Sequence, residues 1–362
     1  MKRISLFLLL FLLLKATVMY SQDGHPETNF RIVPVSPNAA SLGTYGLIPT
    51  DNYVGQARIS IPIYEIDLDG KKFPIALSYH TDGTRVAQEA TWIGLGWTLQ
   101  AAGCVVRQVQ GTDDFAARGC YNLTDAPWLT NPRFEVTDQN LEKYMGYFKG
   151  DYDAEPDMFY FNAGGHSGSM YSDVLKNKRQ LNAVPTIQTQ EKVVKMVYNT
   201  SNKTWTMTDL EGYVYSFSTK EITYYFLNTI DFFQTDITRS HIFPYYNEPQ
   251  IVTAWMLDSV TSPNGGKITF SYKKESIFTP ISTTEDVISL SKIVNGQLSS
   301  QSPQYFTNKF NYNYSYSKIE QWTLSAITFE GGKVEFGTTD REDIESAETG
   351  KKVQKLSSIK VS

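Results

Sequence analysis

"RISIPIYEIDLDGKKFPIALSYH", residues 58–80, decides the fold class. Asp69-Gly70 at its centre suits a two-residue type I′ turn, because both residues tolerate positive φ. Such a turn sets the register. Ile66 then faces Phe73, Tyr64 faces Ile75 and Asp67 faces Lys72, giving two apolar pairs and one of opposite charge. The apolar parity slips between Ile63 and Tyr64, which predicts a bulge beside Pro62. The stretch is an antiparallel hairpin.

The same signals recur outward from it. Asp209 to Gly212 separates "TWTMT" from "YVYSF", Asn264-Gly265-Gly266 separates "LDSVT" from "KITFSY", and Asn295-Gly296 follows "VISLSKIV". "LDSVTSPNGGKITF" and "LSAITFEGGKVEF" share one pattern: Leu-x-x-aliphatic-Thr, a Gly-Gly-Lys turn, then aliphatic-x-Phe. A repeated hairpin is the unit of a stacked or spiralling sheet. "KLSSIKVS", residues 355–362, begins like a third such unit but has no returning strand. The edge it can dock on is that of "KVEFG", which would leave its own far edge as a template for another chain. Helix is scarce. The one good candidate is 138–148, where Leu141, Tyr144, Met145 and Phe148 fall at helical spacing. The expectation is an all-β protein of antiparallel hairpins with at most one or two short helices.

Four regions follow from composition. Residues 1–21 carry Lys2 and Arg3, an apolar run from Ile4 to Leu14 and a small residue at Ser21. That run has the length of a signal-peptide core and is short of the roughly 20 residues of a membrane span. The expectation is an exported chain, with no membrane insertion once the signal is cleaved. Residues 22–55 hold Pro26, Pro34, Pro37 and Pro49 and form an extended leader. Residues 56–175 are an amino-terminal β region, and 176–362 a hairpin-repeat region that ends in mid-hairpin. The net charge of −5 becomes more acidic by three when Lys2, Arg3 and Lys15 leave with the signal. An acidic chain without a basic cluster is a poor partner for nucleic acid. Its 23 Tyr and 20 Phe suit pleated, half-buried surfaces.

Residues that could carry chemistry are few. Cys104 and Cys120 lie in a chain bound for an oxidising compartment; a bridge would close a loop worth roughly 3 kcal/mol, and the alternative is a buried thiol within "GCVV". "GDYDAEPD" sets Asp151, Asp153, Glu155 and Asp157 at every second position, the pattern of hard oxygen ligands for calcium. It lacks the glycine of an EF-hand loop, so a solvated acidic loop is the favoured alternative. "AGGHSGSM" begins like a nucleophile elbow around Ser167, but Ser169 stands where glycine is required and no helix follows. Gly94-x-Gly96 lacks the third glycine and the helix of a phosphate cradle. His25, His80, His166 and His241 show no pairing at zinc-site spacing. No cofactor is implied.

Several stretches together resemble one family. "SPNAASLGTYGLIP", "ISIPIYEI", "LSYHTDGTRVAQEATWIGLGWTLQAAG", "EPDMFYFNAGGHSG", "TAWMLDSVTSPNGGKITFSY" and "LSAITFEGGKVEF" are similar to the amino-terminal region of secreted bacterial RHS/YD-repeat proteins, over residues 34–361. "QEATWIGLGWTLQAAG" is the most specific piece. In that family this region precedes arrays of tyrosine-aspartate repeats that wind as sheet into a hollow shell, often around a variable carboxy-terminal domain. The resemblance implies a non-catalytic structural segment at the bacterial surface or beyond it. Its implied partners are a downstream repeat-containing polypeptide, or a second copy, at the carboxy-terminal strand edge. Tyr-Asp occurs once here, at Tyr152-Asp153, and Cys104 stands where a branched aliphatic is expected. The competing expectation is a surface-exposed glycan- or protein-binding module using exposed aromatics. The burial of Trp92, Trp97, Trp128 and Trp205 discriminates the two.

Overall fold

The computed structural model describes residues 35–39, 58–80, 88–111, 113–115, 119, 141, 145, 155–171, 194–231, 250–288, 293–294, 297–298 and 309–362. The chain divides into two units, Met1–Arg31 and Ile32–Ser362, and every described residue belongs to the second. Its strands are β1 (Arg58–Leu68), β2 (Lys71–His80), β3 (Trp97–Gln100), β4 (Cys104–Gln108), β5 (Met158–Ala163), β6 (His166–Tyr171), β7 (Val194–Asn199), β8 (Thr204–Asp209) and β9 (Val214–Asp231). They continue with β10 (Gln250–Thr261), β11 (Lys267–Phe278), β12 (Ser282–Ile288), β13 (Ile293–Val294), β14 (Gln297–Leu298), β15 (Lys309–Phe329), β16 (Gly332–Asp340) and β17 (Gln354–Val361). All pairings among them are antiparallel. The all-β expectation holds. Residues 37–39 are helical, as are Leu141 and Met145 inside the expected 138–148 helix, the rest of which lies outside the described residues.

The opening hairpin has the register its turn dictates. Asp69 and Gly70 sit at φ 52° and 91°, Ile66 pairs with Phe73, Tyr64 with Ile75 and Asp67 with Lys72, and the register shifts between Pro62 and Tyr64. With β3 this hairpin makes a three-stranded sheet. A twelve-stranded sheet runs β6-β5-β4-β10-β11-β15-β9-β8-β7, with β12 and β16 also on β15 and β17 on β16. Strands from both expected β regions, 56–175 and 176–362, join it. β9 also pairs with β10, so β9, β10, β11 and β15 form a closed circuit of neighbours. The long strands make this closure: β15 pairs with β9 over its first half and with β11 over its second.

Period-two alternation sorts the side chains. Trp205 and Met207 of β8 point into the main core, while Thr204, Thr206 and Thr208 between them are half-buried. Trp205 and Trp255 meet edge to face with centroids 6.0 Å apart, and Tyr198 lies 4.7 Å from Trp205. The centre of β10 is buried on both faces. Trp255 and Leu257 enter the main core, whereas Ala254 and Met256 join Cys104 and Val106 of β4 in a second cluster covered by Val35 and Ala39. Residues 35–39 of the leader therefore cover this part of the second face.

The two repeated units differ in how far they return. "LSAITF" and "KVEF" pair through Ala326–Phe329 with Gly332–Glu335. "LDSVT" pairs with "KIT" only at Ser259–Thr261, and β9 lines its other edge throughout. "KLSSIKVS" docks on the "KVEFG" strand as expected, from Val334 opposite Val361 to Asp340 opposite Gln354.

Candidate functional site

Four hairpin turns converge at one end of the sheets, and Asp209 is where they meet. Asp209 ends β8. Its Oδ1 accepts the backbone N–H groups of Glu211 (3.0 Å) and Tyr213 (2.9 Å), an Asx arrangement that folds its own turn. Its Oδ2 faces out of that turn and accepts from Lys71 Nζ at 2.6 Å and Tyr215 Oη at 3.2 Å. Lys71 is the first residue after the Asp69-Gly70 turn, so the type I′ geometry aims its amine across. The ammonium also reaches Glu211 at 3.0 Å and lies 4.9 Å from the centroid of the Tyr213 ring. Tyr213 Oη donates in turn to the Leu68 carbonyl at 3.0 Å.

The β10–β11 turn joins through Ser262, whose hydroxyl donates to Asp69 Oδ2 and accepts from Gly266 N–H at 3.0 Å. The β5–β6 turn brings Gly164 so close that a Cβ there would lie 2.3 Å from the Tyr215 hydroxyl. It also sets His166 Nε2 3.8 Å from Asp209 Oδ2. Ser167 thus lies on a hairpin strand and not on a strand-to-helix elbow.

Electrostatics hold Lys71, Asp209 and Tyr215 in their ordinary forms. Burial alone would lower the Lys71 amine, but the bonds to Asp209 and Glu211 outweigh it and the pKa is raised. Burial would raise the Asp209 carboxyl, but Lys71 and the Tyr213 N–H hold it below the usual aspartate range. Burial, with the nearby Asp209 charge, pushes the Tyr215 phenol up. An acid–base catalyst needs a group poised near the working pH. Here ammonium, carboxylate and phenol are each fixed away from it, and the cluster staples turns together.

The sequence-derived candidates scatter. Asp157 is fully buried and accepts from Arg107 Nε (2.8 Å), Gln110 N–H (2.8 Å) and Asp114 N–H (3.2 Å). The acidic loop is therefore not solvated at this residue: Asp157 neutralises Arg107, whose guanidinium lies 4.8 Å from the Phe115 ring centroid. Glu155 is exposed, while Asp151 and Asp153 lie outside the described residues. No group of three His, Cys, Asp or Glu suited to a metal occurs among the described residues. Cys104 is buried and unbridged, its thiol pushed up by burial and by Glu221; Cys120 lies outside the described residues. Trp92 and Trp205 are buried, Trp97 is half-buried against Tyr79, and Trp128 lies outside the described residues. Lys71, Asp209 and Tyr215 were not singled out from sequence. The Asp-x-x-Gly of the "DLEG" turn was their one visible signal.

No family model matches the chain, and no curated protein matches its sequence. Among solved structures it is similar to the crystal structure of TcdB2-TccC3, with 11% identity and a TM-score of 0.34 over 87% of this chain and 12% of that one. It is also similar to the N-terminal domain of effector protein SpvB from Salmonella typhimurium strain LT2, with 10% identity and a TM-score of 0.29 over 84% of this chain and 98% of that one. The chain thus spans about an eighth of the first of these chains. Both scores are below those of a shared fold, and the architecture rests on the strand pairings themselves.

Proposed function

We propose that the chain is an exported, non-catalytic β scaffold, the front segment of an RHS/YD-repeat-type shell protein, whose β17 edge receives a further repeat strand. The observation that carries this reading is the Asp209 cluster: its polar groups are engaged in joining four turns. Two further features support it. Trp92, Trp205 and Trp255 are buried among core side chains, where no sugar can stack on them. The cleft lined by Asn38, Trp92, Leu99, Met256 and Trp322 holds about 40 Å³, room for a few waters, against roughly 300 Å³ or more for a ligand site.

The edge argument follows from the ladder. Lys333 and Ser362 exchange both backbone hydrogen bonds, at 2.9 Å each. By antiparallel alternation Val361 and Ile359 turn their N–H and C=O groups away from β16. Among the described residues no strand pairs with that edge, and only the Leu356 N–H is engaged, by the Trp92 carbonyl at 2.8 Å.

The test uses the chain without its signal segment. It should show no saturable binding on a glycan array and should bind a tyrosine-aspartate repeat polypeptide in size-exclusion chromatography. Val361→Pro should abolish that binding without loss of stability, since the N–H it removes faces outward. Saturable glycan binding, or repeat binding indifferent to Val361→Pro, would overturn the reading.

A further inference from the structure

Glu221 is a fully buried carboxyl with no cation in contact among the described residues. It pairs with Ala254 on the face of the sheet that residues 35–39 cover. Its Oε1 accepts the Ser36 backbone N–H at 2.8 Å and the Thr253 hydroxyl at 3.1 Å, and its Oε2 meets the Ser36 hydroxyl. Ser36 Oγ accepts the Ala39 N–H at 3.1 Å, so the same hydroxyl that meets Glu221 also bends the segment. Asn38 fixes the far side, its Oδ1 accepting the Trp92 N–H at 2.9 Å. Ser36, Asn38 and Ala39 are themselves buried, and beneath Ala39 lies Cys104.

We propose that residues 35–39 and Glu221 form a proton-operated latch, seated while the carboxyl is neutral and released when it ionises. A neutral acid in this seat can donate to Ser36 Oγ while Oε1 keeps both its donors. An ionised one is a buried charge with three neutral donors and no counter-ion. None of the groups packed around it among the described residues is a cation. β4 presents the Cys104 thiol, β10 the Thr253 hydroxyl, β11 the Tyr272 phenol beyond Cys104, and β15 the neutral Gln321 and Trp322. Burial raises the carboxyl above the ordinary glutamate value of 4.5, against the opposing pull of Ser36 and Thr253. A raised folded value contributes stability that is fully present below 4.5 and is lost as pH rises through the folded value. Release therefore occurs on the alkaline side.

Unseating uncovers Cys104, which supplies the readout. In a Cys120→Ser background Cys104 is the one remaining thiol. The ratio of its maleimide-labelling rate to that of the same protein carrying Glu221→Gln removes the burial part of the thiol's pH dependence; the Glu221 charge also holds the thiol up, which slows the parent and so works against the rise expected here. The ratio is expected near one on the acid side of the transition and at least about tenfold higher on its alkaline side. Thr253→Val removes a donor that favours the ionised form and should move the midpoint to higher pH. If Glu221→Gln fails to fold, the midpoints of the parent and Thr253→Val decide alone. A flat ratio, faster labelling on acidification, or a midpoint unmoved by Thr253→Val overturns the latch.

Discussion

At the scale of single residues, the Asp209–Lys71 pair is the contact that ties one hairpin turn to another, at 2.6 Å. Asp209→Ala leaves the part-buried Lys71 ammonium with Glu211 as its remaining carboxylate and removes the acceptor of its own turn, and should destabilise the fold by roughly 2 kcal/mol in urea titration. Its pH dependence has a definite sign. The Asp209 carboxyl lies below the ordinary 3.8, so the pair contributes fully above 3.8 and is lost as pH falls through the lower folded value. Asp209→Asn should remove that acid limb. The adjacent glycines make a sharper contrast. Gly164 and Gly165 both have positive φ, at 60° and 83°, but only Gly164 lies against Tyr215. Gly165→Ala should cost about 1 kcal/mol for its backbone alone, and Gly164→Ala clearly more, measured by thermal melting. None of this was legible beforehand. An aspartate in a turn reads as local chemistry, and nothing in "DLEG" names a lysine 138 positions away. Asp157 misled for the same reason: its spacing described a loop, while its partner Arg107 came from another strand.

Elements were far more legible than residues. The Asp69-Gly70 hairpin, its register and its bulge followed from two turn residues and one slip of parity. The Gly-centred turns at Asp209–Gly212 and Gly331 did as well, because positive φ is a local demand that few residues meet. What local pattern could not specify was partner choice beyond the turn. "LDSVT" looked like half of a hairpin, yet its strand pairs with β11 over three residues only, with β4 at Ala254–Met256 beyond, and with β9 along its other edge throughout. The β15–β16–β17 meander has its own test. Phe336 is buried between Ile359 on β17 and Trp92, whose ring meets it at 6.4 Å. Phe336→Ala should cost about 3–5 kcal/mol and shift the Trp92 emission to the red, since the indole then meets water. An unchanged spectrum with lowered stability would mean that β17 is held elsewhere.

For the molecule as a whole, the main core receives side chains from β1–β11 and from β15, β16 and β17. Tryptophan fluorescence and far-UV dichroism should therefore report one coincident unfolding transition, and two separated transitions would show independent bodies. The circuit of β9, β10, β11 and β15 adds a mechanical consequence. β9 has 18 residues and β15 has 21, so each runs roughly 60–70 Å if extended. Each is gripped by different neighbours along successive halves. A pull along either strand loads both ladders in shear, and no single edge is free to peel open. Such a strand behaves as a tie-beam spliced into two walls, stiff along its length.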